Sequence, residues 1–215
     1  MRGIVFSMVL LTGYAAGADW MNLFNGKNLD GWQVVGDGLW TVMRDGTVLG
    51  QRDLSIKYDP KPEINQSWLY TVREFGEFDL HVEWWTRHGG NSGISVRDPT
   101  RARYAIVGPD SDKNKSPSHS GYEIQINMQY KDQYTTGSVY NFDRAKTGFQ
   151  HDDDWNVLEL EVRDATGIKV KLNGTLVSQY AGEPGRPLRG PIGLQLHDQN
   201  SVIMFRDVRI REVSR

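Results

Sequence analysis

Apolar and polar residues alternate along most of this chain with a period of two, in short runs set off by Gly, Asn, Asp and Pro. Successive side chains of a strand point to opposite faces, so such runs read as half-buried β-strands. Trp40-Thr41-Val42 and Val48-Leu49 flank Asp45-Gly46, a hairpin signal, and Asn173-Gly174 separates 168–172 from 176–180 in the same way. The pattern predicts further strands at 68–72, 78–86, 93–97, 122–129, 137–140, 155–163, 191–197 and 202–211. No segment keeps an apolar period of 3.6 over three turns, which excludes a long amphipathic helix. Many short strands with regularly spaced turns predict an all-β fold, a sandwich or jelly roll. Two polar stretches, 98–120 and 141–154, interrupt the pattern, and loops of that length are often functional.

The faces opposite the apolar ones carry the chemistry. In 78–85 the apolar set is Phe78, Leu80, Val82 and Trp84, which leaves Asp79, His81, Glu83 and Trp85 on the other side. Ile94 and Val96 likewise oppose Ser95 and Arg97. Tyr122, Ile124 and Ile126 oppose Glu123, Gln125 and Asn127, and Ile192, Leu194 and Leu196 oppose Gln195 and His197. Placed side by side in one sheet, these second faces form a patch of carboxylates, amides, imidazole and guanidinium beside Trp85. Planar polar groups of this kind match sugar hydroxyls, and an indole matches the apolar side of a sugar ring. The plainer reading is a solvated outer face, which antiparallel sheets commonly have. Such faces favour Lys, Ser and Thr, and these strands carry no lysine on that side.

The first eighteen residues read as a signal peptide: Arg2, then an apolar run from Ile4 to Leu11, then Ala16-Gly17-Ala18 as a small-x-small cleavage site. The apolar run is shorter than the ~20 residues a membrane-spanning helix needs. The expected organisation is therefore a signal peptide at 1–18 and one domain over 19–215, periplasmic or secreted, with no membrane contact in the mature form. The 215 residues contain no cysteine, so disulfides, thiolate nucleophiles and Cys-ligated metal are excluded. Net charge is −2, with Lys and Arg scattered, and nucleic acid is not expected as a partner. Asp110 with Asp112, and Asp152 to Asp154, are hard-oxygen groups, but consecutive loop acids are usually solvated and no EF-hand spacing is present; neither a metal nor another cofactor is expected.

Several motifs occur in a fixed order: 24–32 (Phe-Asn-Gly-Lys-Asn-Leu-Asp-Gly-Trp), 40–42 with 46–50, Gly89-Gly90-Asn91-Ser92-Gly93-Ile94, and Gly121-Tyr122-Glu123-Ile124-Gln125-Ile126. Asp154-Trp155-Asn156, Val170-Lys171-Leu172-Asn173-Gly174, 190–197 and Phe205-Arg206-Asp207-Val208-Arg209-Ile210 complete the series. Together they span nearly all of 19–215, and the chain resembles the 3-keto-disaccharide hydrolase family. The resemblance implies a concanavalin A-like jelly-roll β-sandwich, a carbohydrate substrate already oxidised at carbon 3 of a glucose unit, and an upstream sugar 3-dehydrogenase that supplies it. Two stretches depart from the family's pattern. Residues 98–120 are longer and more charged, and 142–153 lacks the Lys-Pro-x-Gly lead-in before the Trp-Asn element.

A ketone at carbon 3 acidifies the hydrogen on carbon 2. Removing it gives an enolate, the group on carbon 1 leaves, and water adds to the resulting glycal. The route needs a base, a stabiliser for the enolate oxygen and an acid for the leaving oxygen. On a shared face, Glu123 or His197 is the candidate base, Arg97 the enolate stabiliser, and Glu83 or His197 the group serving the leaving oxygen. Asn91, Ser95, Gln125, Gln195 and Trp85 are the candidate substrate contacts. The glycines around Asn91 also suit a tight turn, and Arg97 with Glu123 also suits a cross-strand ion pair. The main functional alternative is a non-catalytic, lectin-like module, since this architecture hosts both. A retaining glycosidase on the same sandwich would carry a Glu-x-Asp-x-(x)-Glu strand, which the sequence lacks.

Overall fold

The structure, a computed structural model, describes residues 19–53, 55, 66–128 and 132–213; the expected signal peptide and Gln129, the end of one expected strand, lie outside the described residues. In chain order the strands are β1 (Met21–Asn22), β2 (Trp32–Val35), β3 (Leu39–Val42), β4 (Val48–Gln51), β5 (Ser67–Thr71), β6 (Phe78–Thr86) and β7 (Asn91–Val96). β8 (Tyr122–Asn127), β9 (Asn156–Arg163), β10 (Gly167–Leu172), β11 (Thr175–Tyr180), β12 (Ile192–Leu196) and β13 (Ile203–Glu212) follow. A 3-10 turn at Lys113–Lys115 and a one-turn helix, α1 (Pro117–Ser120), interrupt the long segment between β7 and β8.

Two antiparallel sheets face each other. The larger has the order β11-β10-β9-β6-β13-β4-β3, with β1 paired to β13, and the smaller runs β2-β5-β12-β7-β8. The jelly-roll sandwich expected from the alternation is the architecture found, because each inward face is apolar. Leu80, Val82 and Trp84 from β6 and Leu158 and Leu160 from β9 meet Ile94, Val96, Ile124, Ile126, Leu194 and Leu196 across the gap, all buried. On β13 the register to β6 shifts between Arg206 and Arg209, and Asp207 sits at φ 46. The extra residue of that bulge returns Val208 and Ile210 to the core side on which Phe205 also lies.

The turns form where expected. Asn173 (φ 49) and Gly174 (φ 81) make the two-residue connection of β10 to β11 with both φ positive, as a type I′ turn requires. Residues 137–140 are a correction: they are not a strand but lie along the edge of β8. The Gly137 N–H bonds the Gln125 carbonyl, the Tyr140 N–H bonds the Glu123 carbonyl, and Val139 bridges Ile124. β1 and β2 are additional to the expected strands.

The outer face of the smaller sheet is not solvated. Trp68 and Tyr70 of β5, stacked at 5.6 Å, form a second small cluster with Ala102 and Ala105 of the β7–β8 segment. Asp98, at the start of that segment, is fully buried. It accepts from the Tyr70 hydroxyl (3.1 Å), the Ser120 hydroxyl (2.7 Å), the Thr100 hydroxyl (2.7 Å) and the N–H groups of Thr100 and Ala102. One carboxylate thus ties both ends of the covering segment to the sheet beneath it. Replacing it strands several buried donors at once, so Asp98→Ala is expected to lower the unfolding free energy by about 3 kcal/mol. Urea denaturation measures the loss, and limited proteolysis should locate the first cut within 98–120.

Candidate active site

The floor of the covered face is built by three neighbouring strands. In β7 and β8 the pairing sets Ser95 opposite Glu123 and Gly93 opposite Gln125, and β12 sets Gly193 beside Ser95. Asn91, Glu123, Gln125 and, just past the end of β12, His197 line a cleft of about 500 Å³. The covering segment adds Lys113, Ser116, Ser118 and His119 to its lining, and the edge segment adds Tyr140 and Asn141.

Glu123 is 5% exposed, and the floor is shaped for it. A Cβ on Gly93 would lie 2.6 Å from Glu123 Oε1 and 3.1 Å from its Cγ, so the carboxyl occupies the space that any other residue at 93 would fill. Gln195 Nε2 donates to Glu123 Oε1 at 2.9 Å. Burial raises the Glu123 pKa from 4.5 to about 7, against the opposing pull of His197 and the Gln195 hydrogen bond, and the charge of Asp98 adds to the rise. A carboxyl that titrates near neutrality can accept a proton and return it within one cycle.

His197 stands within electrostatic reach of Glu123, and its Nδ1 lies 3.5 Å from Asp198 Oδ2. Burial pushes the Asp198 carboxyl up, but the nearby His197 and the hydrogen bond from the Asn200 N–H (2.8 Å) outweigh it and hold its pKa below 3.8. Asp198 therefore stays ionised close to the imidazole. Tyr140 supplies the aromatic ring of the cleft, packed 5.1 Å from Tyr134, with its hydroxyl pKa raised by burial and then by Asp132 and Glu123.

Three expected site residues are elsewhere. Glu83 and Trp85 belong to β6, in the larger sheet, so they face outward on the opposite side of the sandwich from Glu123. There Glu83 is bound by Arg206 at 2.6 Å, and Trp85 pairs with Met204 of β13. Arg97 follows the last residue of β7 at φ 58; its guanidinium turns to Asp164 (2.6 Å) and the Gly76 carbonyl (3.3 Å), outside the cleft. Ser95 and Gln195 lie on the expected face but are fully buried, Ser95 beside the Tyr70 hydroxyl and Gln195 against Glu123. They support the floor and do not line the cleft. Asn91, Gln125, Glu123 and His197 do share the cleft.

Asp110 and Asp112, two of the loop acids weighed as hard-oxygen groups, are engaged by the protein itself. Asp110 binds Arg103, and Asp112 caps the 3-10 turn and pairs with Lys115. Among the described residues one group has its ligand atoms within 4.8 Å of one another: His81, Glu83 and Asp207, on the outer face of the larger sheet. Arg206 and Arg209 already hold its two carboxylates.

The raised pKa of Glu123 has a consequence for stability. A carboxyl whose folded pKa lies above its unfolded value favours the fold below pH 4.5, and that contribution is lost as pH rises through about 7. Above that pH the buried carboxylate is a liability of about 3 kcal/mol. Glu123→Gln should therefore be more stable than wild type at pH 8, with the difference shrinking towards pH 4.5. Unfolding curves across that range that stay parallel would contradict it.

Comparison with known proteins gives a consistent picture. No match was found among curated protein sequences. Among solved structures, a candidate glycosyl hydrolase from Parabacteroides distasonis superposes with a TM-score of 0.67 at 23% identity, covering 91% of this chain and 100% of that one. The carbohydrate-binding module CBM66 from Bacillus subtilis gives 0.56 at 18%, covering 85% and 96%. A β-glucanase from Bacillus licheniformis gives 0.54 at 14%, covering 94% and 100%. These likenesses establish the concanavalin-like sandwich fold. The 3-keto-alpha-glucoside-1,2-lyase-like domain matches residues 19–211, nearly the whole chain, and the protein belongs to that family.

Proposed function

We propose that this protein cleaves glycosides whose glucose unit carries a ketone at carbon 3, with Glu123 as the base that takes the proton from carbon 2. The observation that carries the reading is the buried Glu123 carboxyl on the cleft floor, titrating at about 7 beside His197. Carbons 2 and 3 are adjacent, so the base and the group that stabilises the enolate oxygen must also be adjacent. His197, 3.5 Å from Asp198, takes the second role; the Arg97 guanidinium is turned away to Asp164. Asn91 and Gln125 are the available amides for hydroxyls, and Tyr140 offers a ring face.

Atoms balance over the cycle. Glu123 takes the carbon 2 proton and the electron pair moves to the ketone oxygen. As the ketone re-forms, the pair makes the carbon 1–carbon 2 double bond and the carbon 1–oxygen bond breaks, releasing the alcohol once its oxygen is protonated. Water then adds at carbon 1, and Glu123 returns its proton to carbon 2. The net reaction consumes one water. An enzyme that oxidises carbon 3 must supply the substrate. The residue 1–18 pattern supports a periplasmic or extracellular setting for this protein.

A second reading, a carbohydrate-binding module without turnover, draws on the superposed CBM66 structure. The two are separated by following aglycone release from a 3-keto-glucoside and from the unoxidised glucoside. Cleavage of the keto compound alone is expected, with Glu123→Gln lowering kcat by about 10³-fold and His197→Ala by about 10²-fold. Sugar binding without release from either compound would support the binding module. Wild-type turnover by both variants would remove these residues from the mechanism.

A further inference from the structure

The covering segment 98–120 brings a second histidine to the cleft. His119 sits in α1 and lines the same cavity as Glu123 and His197, but comes from the cover, whereas they belong to the sheet. Its ring is held: Nδ1 lies 2.8 Å from Ser116 Oγ and 3.4 Å from Ser118 Oγ. With Nδ1 engaged, Nε2 is the nitrogen left for the cavity.

The segment that carries it is also fixed. Ser120 is bound to Asp98, and Arg186 donates to the Ser118 carbonyl at 2.9 Å and to the Gly121 carbonyl. The Arg186 guanidinium in turn lies over the rings of Tyr122 (5.0 Å) and Phe142 (4.7 Å). A four-residue helix is not stable alone, so these ties are what place the imidazole. Partial desolvation on the cleft wall, followed by the charge of Arg186, lowers the His119 pKa below 6.5.

In the cycle above Glu123 keeps the carbon 2 proton until it returns it to carbon 2, so the departing oxygen must take its proton from another group. On the keto-glycoside reading above, we infer that His119 is that donor. Its imidazolium passes a proton from Nε2 to the glycosidic oxygen as the carbon 1–oxygen bond breaks, and the neutral ring then takes a proton from the water that adds at carbon 1. The substrate thus lies between a floor that forms the enolate and a cover that completes the departure.

The test separates these two events. A methyl 3-keto-glucoside, whose alkoxide leaves poorly, is incubated in D₂O with the purified protein, and deuterium at carbon 2 is followed alongside methanol release. His119→Ala should still form the enolate and exchange carbon 2 at a rate close to wild type, while methanol release falls by about 10²-fold. His119 is exposed, so the variant should fold. Exchange and release falling together in His119→Ala, or neither falling, would overturn the assignment while the keto-glycoside reading survives in the active wild type. A wild type that neither exchanges nor releases would overturn that reading, and the donor role with it.

Discussion

The cleft depends on Asp98, a carboxylate that no substrate reaches. Without it nothing in the chain's local preferences would keep 98–120 on the sheet: that segment is polar, and its regular elements are a 3-10 turn and a single helical turn. Asp98 gathers donors from β5, from the beginning of the segment and from its end at Ser120. The outer face of the smaller sheet is thereby removed from water. An uncovered antiparallel face would be solvated, and Glu123 on such a face would titrate as an ordinary carboxyl. The raised pKa of Glu123 is therefore set in part by an acid elsewhere in the fold, both through burial and through the Asp98 charge itself.

Burying polar side chains on a sheet face carries a penalty unless they are paired, and here glycine makes the pairing possible. Gly93 leaves room for the Glu123 carboxyl, and Gly193 leaves room for the Tyr70 ring, whose Cε1 would lie 2.4 Å from a Cβ at that position. The first gap positions the group on the floor; the second lets Tyr70 lie flat under the cover and reach Asp98. Two missing side chains on adjacent strands thus shape both the acid and its lid. Gln195 then donates to Glu123 from a fully buried position.

Much of this was legible in the alternation of the sequence. Inward residues such as Leu80, Ile94, Ile124 and Leu194 are named by period two alone, and the same rule turns Glu123, Gln125 and Gln195 to the outer faces of their strands. Alternation fixes a face within a strand, but not the sheet to which the strand belongs. Strands 78–86 and 93–97 are consecutive, and consecutive strands are usually neighbours; in this fold they cross from one sheet to the other, taking Glu83 and Trp85 away from Glu123. Arg97 escaped for a different reason, since its positive φ ends the alternation one residue after Val96. His119 carries no periodic signal, because α1 is too short to have one and its position is made by Asp98 and Arg186 through long-range contacts.

The protonation of Glu123 also bears on whether the cleft binds or catalyses. Recognition of hydroxyls is most selective when each protein group keeps one hydrogen-bonding character, acceptor or donor. An acid with a pKa of about 7 is an acceptor in about half of the molecules at neutral pH and a donor in the rest. For a lectin-like site that ambiguity weakens selection, and it also leaves a stability penalty in the ionised half. For proton abstraction followed by proton return it is an advantage, because neither transfer is strongly uphill. The burial of Glu123 over the Gly93 gap, with a single amide donor where Asp98 has many, is thus the arrangement expected when a carboxyl must change its proton and not merely hold a hydroxyl.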